Sequence, residues 1–153
     1  MARPHILVPT DFSVYAEEAL QQALTLARRD NAPILLVHVL PPCDVLWAEV
    51  LSPTRHEMEQ QRHTAAAQRL QVLAADQPVP IETLVVSGDP VGEICRLATA
   101  YRVELIVMST HGSTGLASLF LGSVAERVVR QAPCSVLVVR RPPSAVPPAG
   151  AAP

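Results

Sequence analysis

Short aliphatic runs that lack polar alternation are the feature that most constrains the fold of this chain. The clearest run is Ile34–Leu40, with the sequence ILLVHVL, and shorter ones occupy residues 105–108 and 135–139. Strands of a parallel sheet have this composition because helices cover both faces of the sheet. Segments with apolar residues at helical spacing separate the runs. This alternation predicts an α/β fold with right-handed crossovers.

Five strands and four helices are predicted in this way. The first strand covers residues 5–8 and stops at Pro9, and a helix follows from the polar turn at residues 10–13 to about Arg29. Residues 79–86 alternate more than the other strands and contain Pro80 and Glu82, which suits a sheet edge. The resulting prediction is one doubly wound domain with a five-stranded parallel sheet in the order 3-2-1-4-5.

The other helices are predicted from capping residues and apolar spacing. Ser52 and Pro53 open a helix to about residue 75, Asp89 caps a third helix, and a Ser123-x-x-Glu126 capping box opens a fourth helix to Gln131. The side chains expected to face the core are Met58, Ala65, Val72 and Leu73 in the second helix and Val91, Ile94, Leu97 and Ala98 in the third.

Length and composition limit the organisation and the partners. A chain of 153 residues suits one domain, here residues 1–141, and the Pro-rich residues 142–153 are expected to form a disordered tail. The formal net charge of −2 argues against nucleic acid or an anionic membrane surface as a partner. All twelve basic residues are Arg, so Schiff-base and P-loop lysine chemistry are excluded.

The three cysteines and the N-terminal segment bear on location. Cys43, Cys95 and Cys134 form no C-x-x-C pattern, which favours reduced thiols in the cytosol. No signal peptide or membrane-spanning segment fits the sequence. A cytoplasmic protein is therefore expected.

A parallel sheet binds ligands outside the carboxyl ends of its strands, where the strand order reverses. For the order 3-2-1-4-5 this crevice lies between the first and fourth strands. Its walls would be Pro9, Thr10 and Asp11 on one side and the loop from Ser109 on the other. Asp11 is a candidate for ligand binding, and capping of the following helix is an equally good interpretation.

The loop after the fourth strand has the composition of a phosphate cradle. Gly112 and Gly122 would let backbone amides approach a ligand, and the helix that follows offers its N-terminus to an anion. Turn glycines with a capping Ser123 explain the same pattern equally well. His111, in this loop, is a candidate phosphate contact, with packing or a backbone hydrogen bond as the favoured interpretation, and His38 is expected to be a hydrogen-bonded core residue.

Several motifs together resemble the universal stress protein family over about residues 3–140. Nucleotide-binding members of that family carry Gly-x-x-Gly, nine residues, then Gly-Ser/Thr. This chain has Ser109-Thr110-His111-Gly112, nine residues, then Gly122-Ser123. The segments VPTDFS, VHV, SGDP, LGSVAERVV and PCSVLVVR are also similar to the family.

The resemblance implies the same five-stranded fold and a site for ATP, ADP or AMP with Mg²⁺. It implies adenine near Asp11 and the Val39 backbone, and ribose near Met108 and Ser109. It implies phosphates on two segments, Gly112, Ser113 and Thr114 and then Gly122, Ser123 and Val124. It also implies a homodimer through the fifth strand, whose apolar edge carries only Arg140 and Arg141 as charged residues.

Ser109 replaces the first glycine of the family motif, which leaves three functions open. Its side chain would either weaken nucleotide binding or hydrogen-bond the sugar. The leading hypothesis is a stress-response protein that binds adenine nucleotide and is not an enzyme. The alternatives are a nucleotide-free dimeric interaction module and a slow ATPase, for which only Asp11 and His111 offer a general base. No catalytic residue and no metal ligand among the side chains is predicted.

Overall fold

The computed structural model describes residues 6–42, 52–110 and 122–140, with only the backbone considered at residues 52–55. Strands and helices alternate through these ranges. In chain order they are β1 (Ile6–Pro9), α1 (Val14–Asp30), β2 (Ile34–Leu40), α2 (Ser52–Ala74), β3 (Ile81–Ser87), α3 (Pro90–Ala100), β4 (Leu105–Ser109), α4 (Ser123–Gln131) and β5 (Ser135–Val139).

The five strands form one parallel sheet in the order β3-β2-β1-β4-β5. This confirms the predicted fold and the predicted edge position of β3. Ile34, Leu35, Leu36 and Val37 of β2 have no exposed surface, because helices cover the sheet on both faces. The aliphatic run therefore marks an interior strand that is buried on both faces, as expected.

The core consists of two aliphatic layers, one on each face of the sheet. On one face Leu35 and Val37 pack with residues of α3 and α4, including Ile94 and Val128. On the other face Ile34 and Leu36 pack with residues of α1 and α2. Alternate residues of the same strand therefore belong to different layers, and each layer needs its own pair of helices.

The inward face of α2 differs from the prediction. Ala66 and Leu70 are buried and Leu73 is half-buried, whereas Met58 and Val72 are 51% and 76% exposed and Ala65 is also exposed. The predicted face was wrong by about one residue, which is a rotation of about 100° around the helix. Leu73 alone of the four predicted residues contacts the core.

The start of α4 also differs from the prediction. The N-cap is Gly122, with extended φ and ψ of −59° and 148°, and the Glu126 amide donates to the Gly122 carbonyl at 2.9 Å. Ser123 is therefore the first helical residue and not the capping residue, so the predicted capping box does not form. The predicted cap of α3 is confirmed, since Asp89 Oδ2 accepts from Gly92 N at 2.9 Å. The cap of α1 lies in the predicted polar turn but is Ser13, whose Oγ accepts from Ala16 N at 3.2 Å, and not Asp11.

Two further predictions concern the C-terminal tail and the possibility of a membrane-spanning helix. Residues 141–153 lie outside the described residues, so the boundary between domain and tail stays a prediction. Among the described helices, α2 included, none has the length and hydropathy needed to cross a membrane.

Candidate functional site

The strand order reverses between β1 and β4, at the centre of the sheet. The two strands pair in parallel, with Ile6 opposite Leu105 and Leu7 opposite Ile106. The chain leaves β1 for α1 on one face and leaves β4 for α4 on the other. The carboxyl ends of β1 and β4 therefore diverge at the predicted crevice position.

The turn from β1 to α1 forms the first wall of this crevice. Thr10 is buried, its amide donates to the Val37 carbonyl at 2.8 Å, and its hydroxyl accepts from the Phe12 amide at 3.0 Å. Asp11 is exposed, and its Oδ1 accepts from the Ser13 amide at 3.0 Å. Asp11 therefore stabilises the turn, and the capping role considered for it belongs to Ser13.

The carboxyl end of β2 lies beside this turn. Val39 is the second-last residue of β2, so its backbone lies near the carboxyl edge of the sheet. Its side chain is buried in the layer formed with α3 and α4. His38 Nδ1 lies 2.7 Å from the Thr10 carbonyl oxygen, and its ring centroid lies 4.4 Å from that of Phe12. His38 is thus hydrogen-bonded, as predicted, but it is half-buried and not a core residue.

The end of β4 is tied to β5 and to α4 by backbone hydrogen bonds. Met108 and Thr110 are buried, and Ser109 is half-buried. The Thr110 amide donates to the Val139 carbonyl at 3.1 Å, and the Thr110 carbonyl accepts from the Gly122 amide at 2.7 Å. These two bonds bring the N-terminus of α4 to the carboxyl end of β4.

Four of the predicted ligand residues lie outside the described residues. They are His111, Gly112, Ser113 and Thr114. The described residues of the predicted site lie at one edge of the sheet, at the ends of β1, β2 and β4 and at the start of α4. They are Pro9, Thr10, Asp11, Val39, Met108, Ser109, Thr110, Gly122, Ser123 and Val124.

The helix start and an arginine are candidate anion contacts at this edge. Ser123 and Val124 are exposed in the first turn of α4, where amides have no intrahelical acceptor. Arg127, one turn further on, lies 3.7 Å from Asp89 Oδ2, and both side chains are more than half exposed. Arg127 therefore also forms an ion pair with Asp89, the N-cap residue of α3.

Metal and nucleophile chemistry gain little support from the described residues. Within residues 6–42, 52–110 and 122–140, no group of three or more His, Cys, Asp or Glu side chains could hold a metal ion. Cys95 and Cys134 are free and half-buried, and burial raises the pKa of each thiol. A raised pKa lowers the thiolate fraction that a nucleophile requires.

Phe12, His38 and Arg69 form a contact cluster beside the first wall that the sequence did not predict. The Arg69 guanidinium carbon of α2 lies 3.9 Å from the ring centroid of Phe12, the residue that also contacts His38. Phe12 has a φ of 63°. No local sequence pattern predicts this cluster, because its members come from the β1–α1 turn, β2 and α2.

Comparison with known proteins agrees with the observed fold. Residues 3–140 match the sequence profile of the universal stress protein family. Universal stress protein MJ0531 of Methanocaldococcus jannaschii is 35% identical over 144 residues, which cover 90% of this chain and 82% of the relative.

Solved structures extend the similarity to three dimensions. The structure of MJ0577, from the same organism, has a TM-score of 0.77 and 28% identity and covers 94% of this chain and 100% of its own. A universal stress protein in complex with cAMP has a TM-score of 0.59 and 25% identity and covers 92% and 98%. Sequence and fold agree over nearly the whole chain, and the chain therefore belongs to the universal stress protein family.

Proposed function

We propose that this stress protein binds an adenine nucleotide, ATP with Mg²⁺, at the carboxyl edge of the sheet between β1 and β4. Binding would act through a change of conformation or of protein partner and needs no chemical turnover. The family relative in complex with cAMP supports adenine nucleotide as the ligand class. Phosphate charge would be offset by Mg²⁺, backbone amides and Arg127, since the chain has no lysine.

The observation that carries this proposal is the start of α4 at the switch point, where the N-cap residue makes no side-chain capping bond. Ser13 and Asp89 place side-chain oxygens on first-turn amides of α1 and α3. The N-cap of α4 is Gly122, which has no side chain to do so. The Gly122–Thr110 hydrogen bond holds this helix start beside β4. An anion there would accept hydrogen bonds from the first-turn amides and would be stabilised by the helix dipole.

The remaining contacts follow the order of the sheet. Adenine would lie near Asp11 and the Val39 backbone, and ribose near Met108 and Ser109. The phosphates would lie on the amides of residues 122–124 and of residues 112–114. The free thiols of Cys95 and Cys134 are compatible with the cytoplasmic location that we also propose.

A second candidate is an interaction module that binds no nucleotide. Ser109 favours it, because this half-buried serine at the end of β4 adds a side chain where the family resemblance implies a glycine in nucleotide-binding members. The same hydroxyl favours the first proposal if it bonds the ribose. Direct measurement of binding separates the two.

A thermal shift with nucleotide tests the site. At ATP and Mg²⁺ concentrations about a hundredfold above Kd, linkage adds about 2.7 kcal/mol to the free energy of unfolding. For a domain of this size the melting temperature should rise by about 5–11 °C. Gly122→Val should lose this rise, because a branched side chain at the N-cap obstructs the first-turn amides, while the backbone angles at Gly122 suit any residue.

Gly92→Ala in α3 is the matched control. Gly92 also lies in a first helical turn, but its amide already donates to Asp89 Oδ2, so the variant should keep the full shift. Wild-type protein that shows no shift with millimolar ATP, ADP or AMP plus Mg²⁺ would establish the interaction module instead. Phosphate release near the roughly 10 per second of a typical enzyme would establish the ATPase.

A further inference from the structure

Phe12, next to Asp11, has a backbone conformation that bulky residues rarely adopt. Its φ is 63°, in the left-handed region, where the Cβ atom crowds the following carbonyl oxygen. Such conformations persist only where the surrounding structure determines them, and they cluster at ligand-binding and switch regions. Phe12 belongs to the turn that forms the first wall of the proposed nucleotide site.

Two other elements hold this turn. The Phe12 ring contacts His38 of β2, with a centroid separation of 4.4 Å and an interplanar angle of 37°. The Arg69 guanidinium carbon of α2 lies 3.9 Å from the same ring centroid, within cation–π range. Phe12 is therefore restrained from the neighbouring strand and from the helix that covers it.

His38 also restrains the backbone two residues before Phe12. Its Nδ1 lies 2.7 Å from the Thr10 carbonyl oxygen. A carbonyl oxygen only accepts, so Nδ1 must carry the hydrogen and donate it. The same imidazole thus fixes the carbonyl of Thr10 and the ring of Phe12, the two residues that flank Asp11.

Hydrogen bonds inside the turn complete this arrangement. Thr10 Oγ1 accepts from the Phe12 amide at 3.0 Å, and Asp11 Oδ1 accepts from the Ser13 amide at 3.0 Å. Asp11 is exposed, yet the residues on both sides of it are anchored. Its carboxylate therefore has a defined position at the edge of the sheet.

We infer that His38 and Arg69 are positioning residues that pre-organise the turn of residues 10–13 and thereby set the affinity for nucleotide. This inference rests on the proposed function, because Asp11 is assigned to the adenine end of that site. A turn that is already ordered loses less conformational entropy on binding, and affinity rises accordingly. Neither side chain needs to touch the ligand for this effect.

Two measurements test the inference on the full chain. Titration calorimetry with ATP and Mg²⁺ gives Kd well below the melting temperature, and hydrogen exchange without nucleotide reports the Phe12 and Ser13 amides. His38→Leu removes the hydrogen bond to Thr10 and should weaken binding up to about tenfold. Exchange of both amides should accelerate in the same variant.

His38→Asn should restore binding to within about twofold, because its side-chain N–H group is attached to Cγ, as Nδ1 is in histidine. Arg69→Met, at an exposed position that folding tolerates, removes the cation–π contact and should weaken binding about two- to fivefold. Gln71→Leu is the control, because it breaks a 2.8 Å hydrogen bond to Thr83 between α2 and β3, away from the turn. Its Kd should equal that of wild type.

The outcomes separate this inference from the proposed function. Wild-type protein that binds no nucleotide overturns both. Wild-type binding with an unchanged Kd in His38→Leu and Arg69→Met overturns the positioning role alone, even if both variants melt at lower temperature. If His38→Leu does not fold, Arg69→Met decides the result. Unchanged amide exchange at Phe12 and Ser13 in these variants likewise overturns the pre-organised turn.

Discussion

Gly88 and Gly92 lie four residues apart, and the same substitution should have opposite effects at the two positions. Gly88 has a φ of 152°, and an added Cβ would lie 2.9 Å from Glu93 Cγ. At Gly92 the nearest atom to an added Cβ is Asp89 Oδ2 at 3.5 Å, an ordinary contact. Gly88 lies in the turn before the N-cap of α3 and Gly92 lies in the first turn of the helix, so the difference comes from backbone strain and local space.

Gly88→Ala should therefore lower the free energy of unfolding by about 1–2 kcal/mol. The melting temperature would fall by about 2–8 °C. Gly92→Ala should raise the free energy of unfolding by about 0.4–1 kcal/mol, because alanine reduces the entropy of the unfolded chain at a helical position. Thermal melting without ligand measures both, and equal melting temperatures for the two variants would contradict the expectation.

Some residue roles could be predicted from the sequence because they depend on neighbours along the chain. Ser13 and Asp89 cap the helices that follow them, and those bonds join residues three apart. The contact between Phe12 and Arg69 could not be predicted, because it depends on how α2 packs over the β1–α1 turn. The positive φ of Phe12 has no local sequence signal either, because bulky residues rarely adopt this conformation.

At the start of α3, Asp89 makes both a capping hydrogen bond and an ion pair, and either one could stabilise the helix. Asp89 Oδ2 accepts from the Gly92 amide at 2.9 Å and lies 3.7 Å from Arg127, with both charged side chains more than half exposed. Asp89→Ala should lower the free energy of unfolding by about 1 kcal/mol. Asp89→Asn keeps the capping oxygen and should stay within about 0.5 kcal/mol of wild type, because exposed ion pairs contribute little.

Denaturant unfolding of both variants at low and high salt measures this difference. The change in Asp89→Ala should persist at high salt, because the capping bond is short-range. An Asn variant as unstable as the Ala variant, with the loss disappearing at high salt, would assign the stabilisation to the ion pair with Arg127 instead.

The incorrect predictions for α2 and α4 show that local sequence pattern does not determine the buried face or the first residue of a helix. In α2 three consecutive alanines, residues 65–67, precede Leu70, so apolar residues lie on several sides of the helix. Packing on β2 and β3 selects Ala66 and Leu70 as the buried pair. In α4 the motif Ser123-x-x-Glu126 is present, yet the backbone bends at Gly122 and moves the helix start. Both errors are of one residue.

Across the whole molecule, the position of the candidate site follows from the parallel arrangement of the strands. Carboxyl ends of parallel strands lie at the same edge, so residues after β1 and β4 had to come together. Thr10 and Thr110 are buried there, at the ends of β1 and β4. The hydrogen bond from Gly122 to Thr110 is a detail that strand order alone could not predict.

The outer edge of β5 leads to the prediction for assembly. Among the described strands, β5 pairs only with β4, and Leu137 is 39% exposed. An apolar edge strand favours pairing with a second copy, so we expect a symmetric homodimer through antiparallel β5 strands. Sedimentation at roughly tens of micromolar should show two chains of 16.4 kDa together.

Leu137→Lys should shift the protein toward monomer, because a lysine on an edge strand opposes pairing between sheets. The residue is already partly exposed, so the fold should persist. Val72→Lys places the same charge on α2, which packs on β2 and β3 toward the opposite edge of the sheet, and this variant should remain dimeric. Wild-type protein that sediments as a monomer at these concentrations contradicts the dimer. Equal dissociation of both variants would instead place the contact away from β5.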